Sequence, residues 1–234
     1  MSDTLIELEK VSFGYVKERL ILRNLDFRAG VGESVGIVGA NGAGKSTLLR
    51  LLVGLEGGYE GRITVDGITV EKKNLQEVRR RIGYVFQDAD SQMFLSTVGE
   101  NVAFGPANYG CTGEKLQECV TESLQAMHIE HLAERPVYQL SGGEKKLASL
   151  ATVLSMKPDI LILDEPTVAL DPRNRRNLAK LLNSLPQVKL IASHDLDFIL
   201  DTCERTLLLH GGHIVKDGKS SELLSDRRLM EEIL

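Results

Sequence analysis

The chain is poor in several features, and each shortage excludes a class of protein. Its 234 residues include three cysteines, Cys111, Cys119 and Cys203, odd in number and scattered. That pattern is neither a disulfide framework nor a zinc-ligand spacing, and it fits a reducing, cytosolic setting. No apolar run approaches the roughly 20 residues that a membrane-spanning helix needs. The longest lies around Ile160-Leu161-Ile162-Leu163 and suits a buried parallel strand. Positive charge is not in excess, because 28 Lys and Arg stand against 33 Asp and Glu, for a formal net charge of −5. General nucleic-acid binding needs a basic surface, so no nucleic-acid partner is expected. Met1 to Glu7 lacks a basic stretch followed by an apolar one, so no secretory signal is expected. Internal repeats and low-complexity tracts are missing too. The rest is ordinary for a globular protein: 42% hydrophobic, 26% charged. The length allows one large domain, or a domain with an inserted lobe.

The most informative segment is Gly39-Ala40-Asn41-Gly42-Ala43-Gly44-Lys45-Ser46-Thr47, directly after the apolar run Ser34-Val35-Gly36-Ile37-Val38. It reads G-x-x-x-x-G-K-S between a predicted strand and a predicted helix, the context in which such a loop cradles phosphate. The glycines let the backbone curl so that several N–H groups converge on one anion. A helix starting near Lys45 adds the positive end of its dipole. Lys45 supplies a point charge for the β- and γ-phosphates, and Ser46 offers a hydroxyl to Mg²⁺.

Around this loop the pattern predicts strands at Leu5–Val11, Leu25–Ala29 and Ile63–Val65, the last before an Asp66-Gly67 turn. Helices are predicted from Lys45 to about Val53 and over Leu75–Arg81, then a strand from Ile82 to Phe86 that ends at Gln87. From Asp88 to Lys157 the character turns helical. Leu116, Val120, Leu124 and Met127 recur at helical spacing, as do Leu147, Leu150, Ala151 and Leu154. Ser141 with Glu144 forms a capping-box pattern. This stretch reads as a helical lobe inserted into a nucleotide-binding core. The core resumes with a strand at Asp159–Leu163, a helix at Pro172–Leu185, a strand at Lys189–Ala192 and a helix from Asp195 to Asp201. Arg205–His210 and His213–Lys216 flank Gly211-Gly212, a hairpin signal, and the charged tail from Ser220 is predicted helical.

Four further features bear on chemistry. The strand Ile160–Leu163 ends in Asp164-Glu165, and neighbouring residues at a strand end point different ways. Asp164 is thus placed to hold Mg²⁺ or its water, and Glu165 to face an attacking water as base. Leu140-Ser141-Gly142-Gly143-Glu144 opens a helix; alone it reads as a plain cap, but beside a phosphate loop it is also a candidate second anion site. Such a site invites a head-to-tail partner, with two nucleotides sandwiched between two copies. His194 follows a core strand, either capping the next helix or contacting a γ-phosphate. Gln87 ends the strand that leaves the core, where its amide reaches Mg²⁺ or water.

In this order, these motifs resemble the ATP-binding subunit of an ABC transporter over almost the whole chain. The resemblance implies an α/β fold: a P-loop NTPase core of the ABC ATPase type with an N-terminal antiparallel β subdomain and an inserted helical lobe. It implies one ABC ATPase domain over 1–234, with 1–87 and 158–234 as core and 88–157 as helical signature subdomain. ATP and Mg²⁺ are the implied cofactors. Tyr15 matches the aromatic that stacks on adenine, and Gly39, Asn41, Gly42, Gly44, Lys45, Ser46 and Thr47 match the phosphate loop. Gln87 matches the glutamine that senses the γ-phosphate, and Ser46, Gln87 and Asp164 are the implied Mg²⁺ residues. Ser141, Gly142 and Gly143 match the signature that completes the partner's site. Asp171, in Ala169-Leu170-Asp171, matches the loop coupling the two sites. Glu165, His194 and Lys45 are the implied catalytic residues.

The stretch Phe86–Phe94, followed by Glu100–Pro106, resembles the energy-coupling-factor branch. Its importers move cobalt, nickel or vitamins such as biotin. In that branch the Gln87–Phe94 region docks on a transmembrane subunit. The resemblance thus implies a peripheral ATPase at the cytoplasmic face of the membrane, paired with a second ATPase subunit, without direct contact with the transported solute. The alternative is a soluble ABC-type ATPase acting on nucleic acid or ribosomes; those generally carry two cassettes or long coiled-coil insertions. Glu144 and Leu147 depart from the family's usual Gln and Arg. The chain stops at Leu234, so no C-terminal dimerisation extension is expected, and the nucleotide-free protein is expected to be monomeric. The pairs His128/His131 and His210/His213 are expected to be solvated or turn histidines, not metal ligands.

Overall fold

Alternating apolar residues at one end of the chain and unbroken apolar runs further along build two different sheets. The computed structural model describes residues 4–16 and 18–234. Strands β1 (Thr4–Phe13), β2 (Leu22–Gly30), β4 (Glu60–Val65) and β5 (Ile68–Thr69) form an antiparallel sheet in the order β2-β1-β4-β5. In β1 the buried positions run Ile6, Leu8, then Val11, Phe13, so the alternation slips once. The slip falls at a register shift around Lys10, whose φ is 50°, and a bulge of this kind re-aims the strand so that both halves face the core.

The second sheet holds β3 (Ser34–Val38), β6 (Ile82–Val85), β7 (Ile160–Asp164), β8 (Val188–Ala192), β9 (Arg205–His210) and β10 (His213–Lys219), in the order β10-β9-β3-β8-β7-β6. All pairs are parallel except β9 with β10. Both faces are covered, which is why β7 is apolar from Ile160 to Leu163. Ile160 and Ile162 enter the core shared with α1 (Lys45–Leu52) and the antiparallel sheet. Leu161 and Leu163 enter the core shared with α6 (Pro172–Ser184), α7 (Leu196–Thr202) and the helices of the 88–157 region.

That region carries α3 (Val98–Asn108), α4 (Gly113–Ala126) and α5 (Gly142–Leu154). Helical spacing predicts α4 and α5 but gives no sign of α3, which contains Gly99, Gly105 and Pro106. A capping box nonetheless starts it: Thr97 Oγ1 accepts the Glu100 N–H and the Glu100 carboxylate accepts the Thr97 N–H. Gly105 permits close packing on the chain after α5, since a Cβ there would lie 2.6 Å from Met156 Sδ. The helix α2 (Leu75–Arg81) leads into β6, as its spacing predicts. β10 runs past Lys216 to Lys219, and the tail divides into α8 (Ser220–Leu223) and α9 (Arg227–Ile233), the latter capped by Asp226. Among the described residues, no helix is long and apolar enough to cross a membrane.

Candidate functional site

The order β3-β8-β7-β6 sets four strand ends in a row at the carboxyl edge of the parallel sheet, where α/β folds bind ligands. The phosphate loop leaves β3, His194 follows β8, Asp164-Glu165 ends β7, and Gln87 follows β6. A cleft of about 610 Å³ opens there. The phosphate loop, Gln87, Glu165 and His194 line it, with Ile21 and Leu234 as its large apolar residues.

Within the loop, Gly42 (φ 82°) and Gly44 (φ 107°) adopt left-handed backbone, and a Cβ on Gly44 would lie 2.5 Å from Leu22 Cδ2. Only glycine meets both demands. Gly44 caps α1 without a side-chain hydrogen bond, and no acid stands in the helix's own first turn. The buried Lys45 ammonium donates to Gly39 O at 2.7 Å and Ala40 O at 3.3 Å, and lies 3.9 Å from Glu165 Oε1. A buried cation held across open backbone N–H groups suits a polyphosphate.

The two carboxylates at the end of β7 diverge. Asp164 faces α1 and β6: Ser46 Oγ donates to its Oδ1 at 3.0 Å, and Tyr84 OH to its Oδ2 at 3.2 Å. Burial first, then the adjacent Asp164, pushes the Tyr84 phenol well above its usual range, so it stays a donor. A hydroxyl and a carboxylate 3.0 Å apart, with Gln87 lining a cleft beside both, are an oxygen-rich set of the kind that would suit Mg²⁺. Glu165 turns the other way. Its Oε2 receives the His194 ring Nδ1 at 2.8 Å, the His194 N–H at 3.3 Å and Ser193 Oγ at 3.4 Å. Glu165 has φ 45°, a left-handed backbone uncommon for glutamate and costing about 1 kcal/mol or more. Its N–H donates to Ala192 O at 2.8 Å, which holds that turn in place.

Other residues singled out in the sequence stand apart from this cleft. Tyr15 is half exposed and outside the lining, its ring edge-on to Phe13 and its hydroxyl 3.5 Å from Thr47 Oγ1. Ser141 and Gly143 lie outside the phosphate-loop cleft of their own chain. Gly142 lines a neighbouring cleft of about 520 Å³ together with Ser46, Gln87 and Asp164. Asp171 caps α6, accepting the Arg173 and Asn174 N–H groups. His128, at φ 55°, sits in a turn after α4, and among the described residues no cluster of His, Cys, Asp and Glu could hold a metal ion. Sequence reasoning passed over Tyr84, Ser193 and Leu234. Tyr84 lies three residues before Gln87 and Ser193 directly before His194, and that nearness to motif residues was their only signal.

The ABC transporter family profile matches residues 22–168, more than half of the chain. The chain belongs to the ABC transporter family. It is 48% identical to an ABC transporter ATP-binding protein of Gloeobacter violaceus, over 96% of this chain and 93% of that one. It is 38% identical to the energy-coupling factor transporter ATP-binding protein EcfA of Carboxydothermus hydrogenoformans, over 97% of this chain and 85% of the relative. Among solved structures it matches CbiO1 of Clostridium perfringens, part of the ABC transporter complex CbiONQ. The TM-score is 0.89 and the identity 32%, over 99% of this chain and 94% of that one. It also matches the dimeric ATP-binding cassette MJ0796 bound to ADP and phosphate, with TM-score 0.83 and 28% identity over 92% and 99% of the two chains. The fold is the ABC ATPase fold, and this ABC protein is an ATP-binding motor subunit with ATPase activity.

Proposed function

We propose that this subunit drives a membrane importer of the energy-coupling-factor type, for cobalt, nickel or a vitamin such as biotin. The observation that carries the ATPase site is the row of four strand ends, which gathers Lys45, His194, Glu165 and Gln87 around one cleft. The importer branch rests on the likeness to EcfA and CbiO1.

In this reading the phosphate loop and Lys45 bind the ATP phosphates, and Tyr15 stacks on adenine. Ser46, Asp164 and Gln87 would hold Mg²⁺, which supplies charge neutralisation on the phosphate oxygens. Glu165, turned toward the cleft by its left-handed backbone and held by His194, orients or deprotonates water for in-line attack on the γ-phosphate. Lys45 and His194 stabilise the charge that develops there. Ser141, Gly142 and Gly143 complete the site of a second ATPase subunit, which agrees with the position of Ser141 and Gly143 outside their own chain's cleft. Asp171 lies at the coupling loop between the sites. The core is 1–87 with 158–234, and 88–157 is the signature subdomain. The Gln87–Phe94 region docks on a transmembrane subunit, so the protein sits peripherally at the cytoplasmic face. Phe94, 64% exposed and edge-on to the exposed Phe104, supports that contact.

The test is Mg²⁺-dependent phosphate release against protein concentration, with Glu165→Gln as control. A rate that rises faster than linearly and vanishes in the variant supports composite sites. A variant that hydrolyses at the wild-type rate sinks the role of Glu165. Co-purification with a detergent-solubilised membrane subunit, then uptake of Co²⁺, Ni²⁺ or biotin in vesicles, tests the importer assignment; association with ribosomes or nucleic acid instead would overturn it.

A further inference from the structure

Lys146 is a lysine where few lysines stand. It lies on α5, five residues after Ser141, and only 3% of its surface is exposed. Among the described residues no ion pair accompanies it. Its Nζ donates to two backbone carbonyls of the loop leaving β6, Phe86 O at 3.2 Å and Gln87 O at 3.0 Å. A second strap lies beside the first. The Gln92 side chain accepts the Phe86 N–H at 3.2 Å and donates to Ser149 O and Thr152 Oγ1, both on α5, at 2.8 Å. Both peptide carbonyls at residues 86–87, and the amide of Phe86, are therefore fixed directly or through one side chain to α5.

Burying an ammonium without a carboxylate partner is costly, and here burial lowers the Lys146 pKa, with Asp88 and Asp164 acting against that fall. An uncharged side chain of that length would fill the space at less cost. What the ammonium adds is a donor that grips two successive carbonyls. Gln87 lines both the phosphate-loop cleft and the cleft that reaches Gly142, so its backbone position sets where its amide lies between them.

We infer that Lys146, backed by Gln92, is a positioning residue that locks Gln87 to the signature helix. The glutamine facing this chain's own nucleotide and the Ser141 segment facing a partner's nucleotide then move as one piece. The inference rests on the reading of Gln87 as a Mg²⁺ and γ-phosphate contact. Bound ADP lacks the γ-phosphate, so loss of the lock should spare ADP binding and penalise MgATP turnover.

The experiment is a double-mutant cycle on the full chain with Lys146→Met and Gln87→Ala, and with Lys146→Arg as rescue. Lys146→Met is expected to lower kcat about tenfold and raise the Mg²⁺ concentration for half-maximal turnover, as misplacement of a contact group does. ADP affinity should stay within about twofold, and Lys146→Arg should recover most of the loss. In the Gln87→Ala background Lys146→Met should cost nothing further, because groups that act as a unit are not additive. Multiplying losses, or an unchanged Mg²⁺ dependence in Lys146→Met, would overturn the inference while leaving the Gln87 reading intact. If Gln87→Ala alone changes neither turnover nor Mg²⁺ dependence, the Gln87 reading falls and the inference with it. If Lys146→Met does not fold by thermal melting, Gln92→Ala replaces it in the same cycle with the same expected and overturning results.

Discussion

One oxygen of Glu165 takes two hydrogen bonds from one residue: the His194 ring Nδ1 at 2.8 Å and the His194 N–H at 3.3 Å. The other oxygen lies 3.9 Å from Lys45 Nζ. The carboxylate is therefore fixed in direction from β8 while its second oxygen stays with the phosphate loop.

Glu165→Gln keeps most of these contacts and removes the proposed base. ATP binding should persist while turnover falls by about 100-fold or more, the usual scale for a lost general base. The check is equilibrium ATP binding beside phosphate release, and sizing of the ATP-bound variant should show a trapped dimer. His194→Ala leaves the carboxylate loosely aimed and should also lower kcat. An unchanged kcat would deny the histidine that role.

Ser46 Oγ donates to Asp164 at 3.0 Å while the Lys45 ammonium donates to Gly39 O and Ala40 O, so the proposed Mg²⁺ set and the lysine should separate experimentally. Asp164→Asn and Ser46→Ala should weaken the Mg²⁺ dependence of MgATP binding while metal-free ADP still binds. Titrating nucleotide with and without Mg²⁺ checks this. Equal losses in both conditions would remove Asp164 from the metal set.

Glu144 stands where the family usually has glutamine. Its carboxylate accepts the Ser141 N–H at 2.7 Å, and that bond, with the Ser141 hydroxyl and Arg135, holds its pKa below the usual 4.5. A carboxyl depressed by folding stabilises the fold above its unfolded value and loses that contribution as pH falls. Glu144→Gln should cost about 0.5–1 kcal/mol at pH 7, the scale of a cap. The difference from wild type should shrink in urea melts as pH falls below 4.5. A difference independent of pH would show that the charge is irrelevant.

Cys203 has the opposite sign. Burial pushes its thiol from 9.0 up to about 12. A folded pKa above the unfolded one means that stability is full below about 9 and declines as pH rises toward about 12. Cys203→Ala should flatten that alkaline slope. At pH 8 a thiol reagent should label the partly exposed Cys111 and Cys119 in the folded protein, and all three cysteines only after unfolding. Fast labelling of Cys203 in the native state would count against it.

The parts of the fold with a short-range cause were readable. The phosphate loop needs left-handed glycines at 42 and 44, Ser141 and Glu144 form a cap within four residues, and β7 is apolar because it is covered on both faces. Helix α3 was not readable. Gly99, Gly105 and Pro106 weaken its intrinsic preference, and it forms because Gly105 lets it pack against Met156 and because Thr97 and Glu100 cap its start. The bulge at Lys10 was hidden for a similar reason, since only pairing with β2 reveals the register shift.

The sequence by itself determined the local chemistry: a loop built for phosphate, two carboxylates at a strand end, a capped signature helix, and a composition without a membrane span. These are properties of a few consecutive residues, and backbone sterics and capping decide them locally. Only the tertiary structure decided which strand ends are neighbours, because parallel pairing joins residues far apart in the chain. Ser46 meets Asp164 across 118 positions, and Lys146 meets Gln87 across 59. Strand order and the burial of the facing helices set those meetings, and no window of the sequence contains both partners.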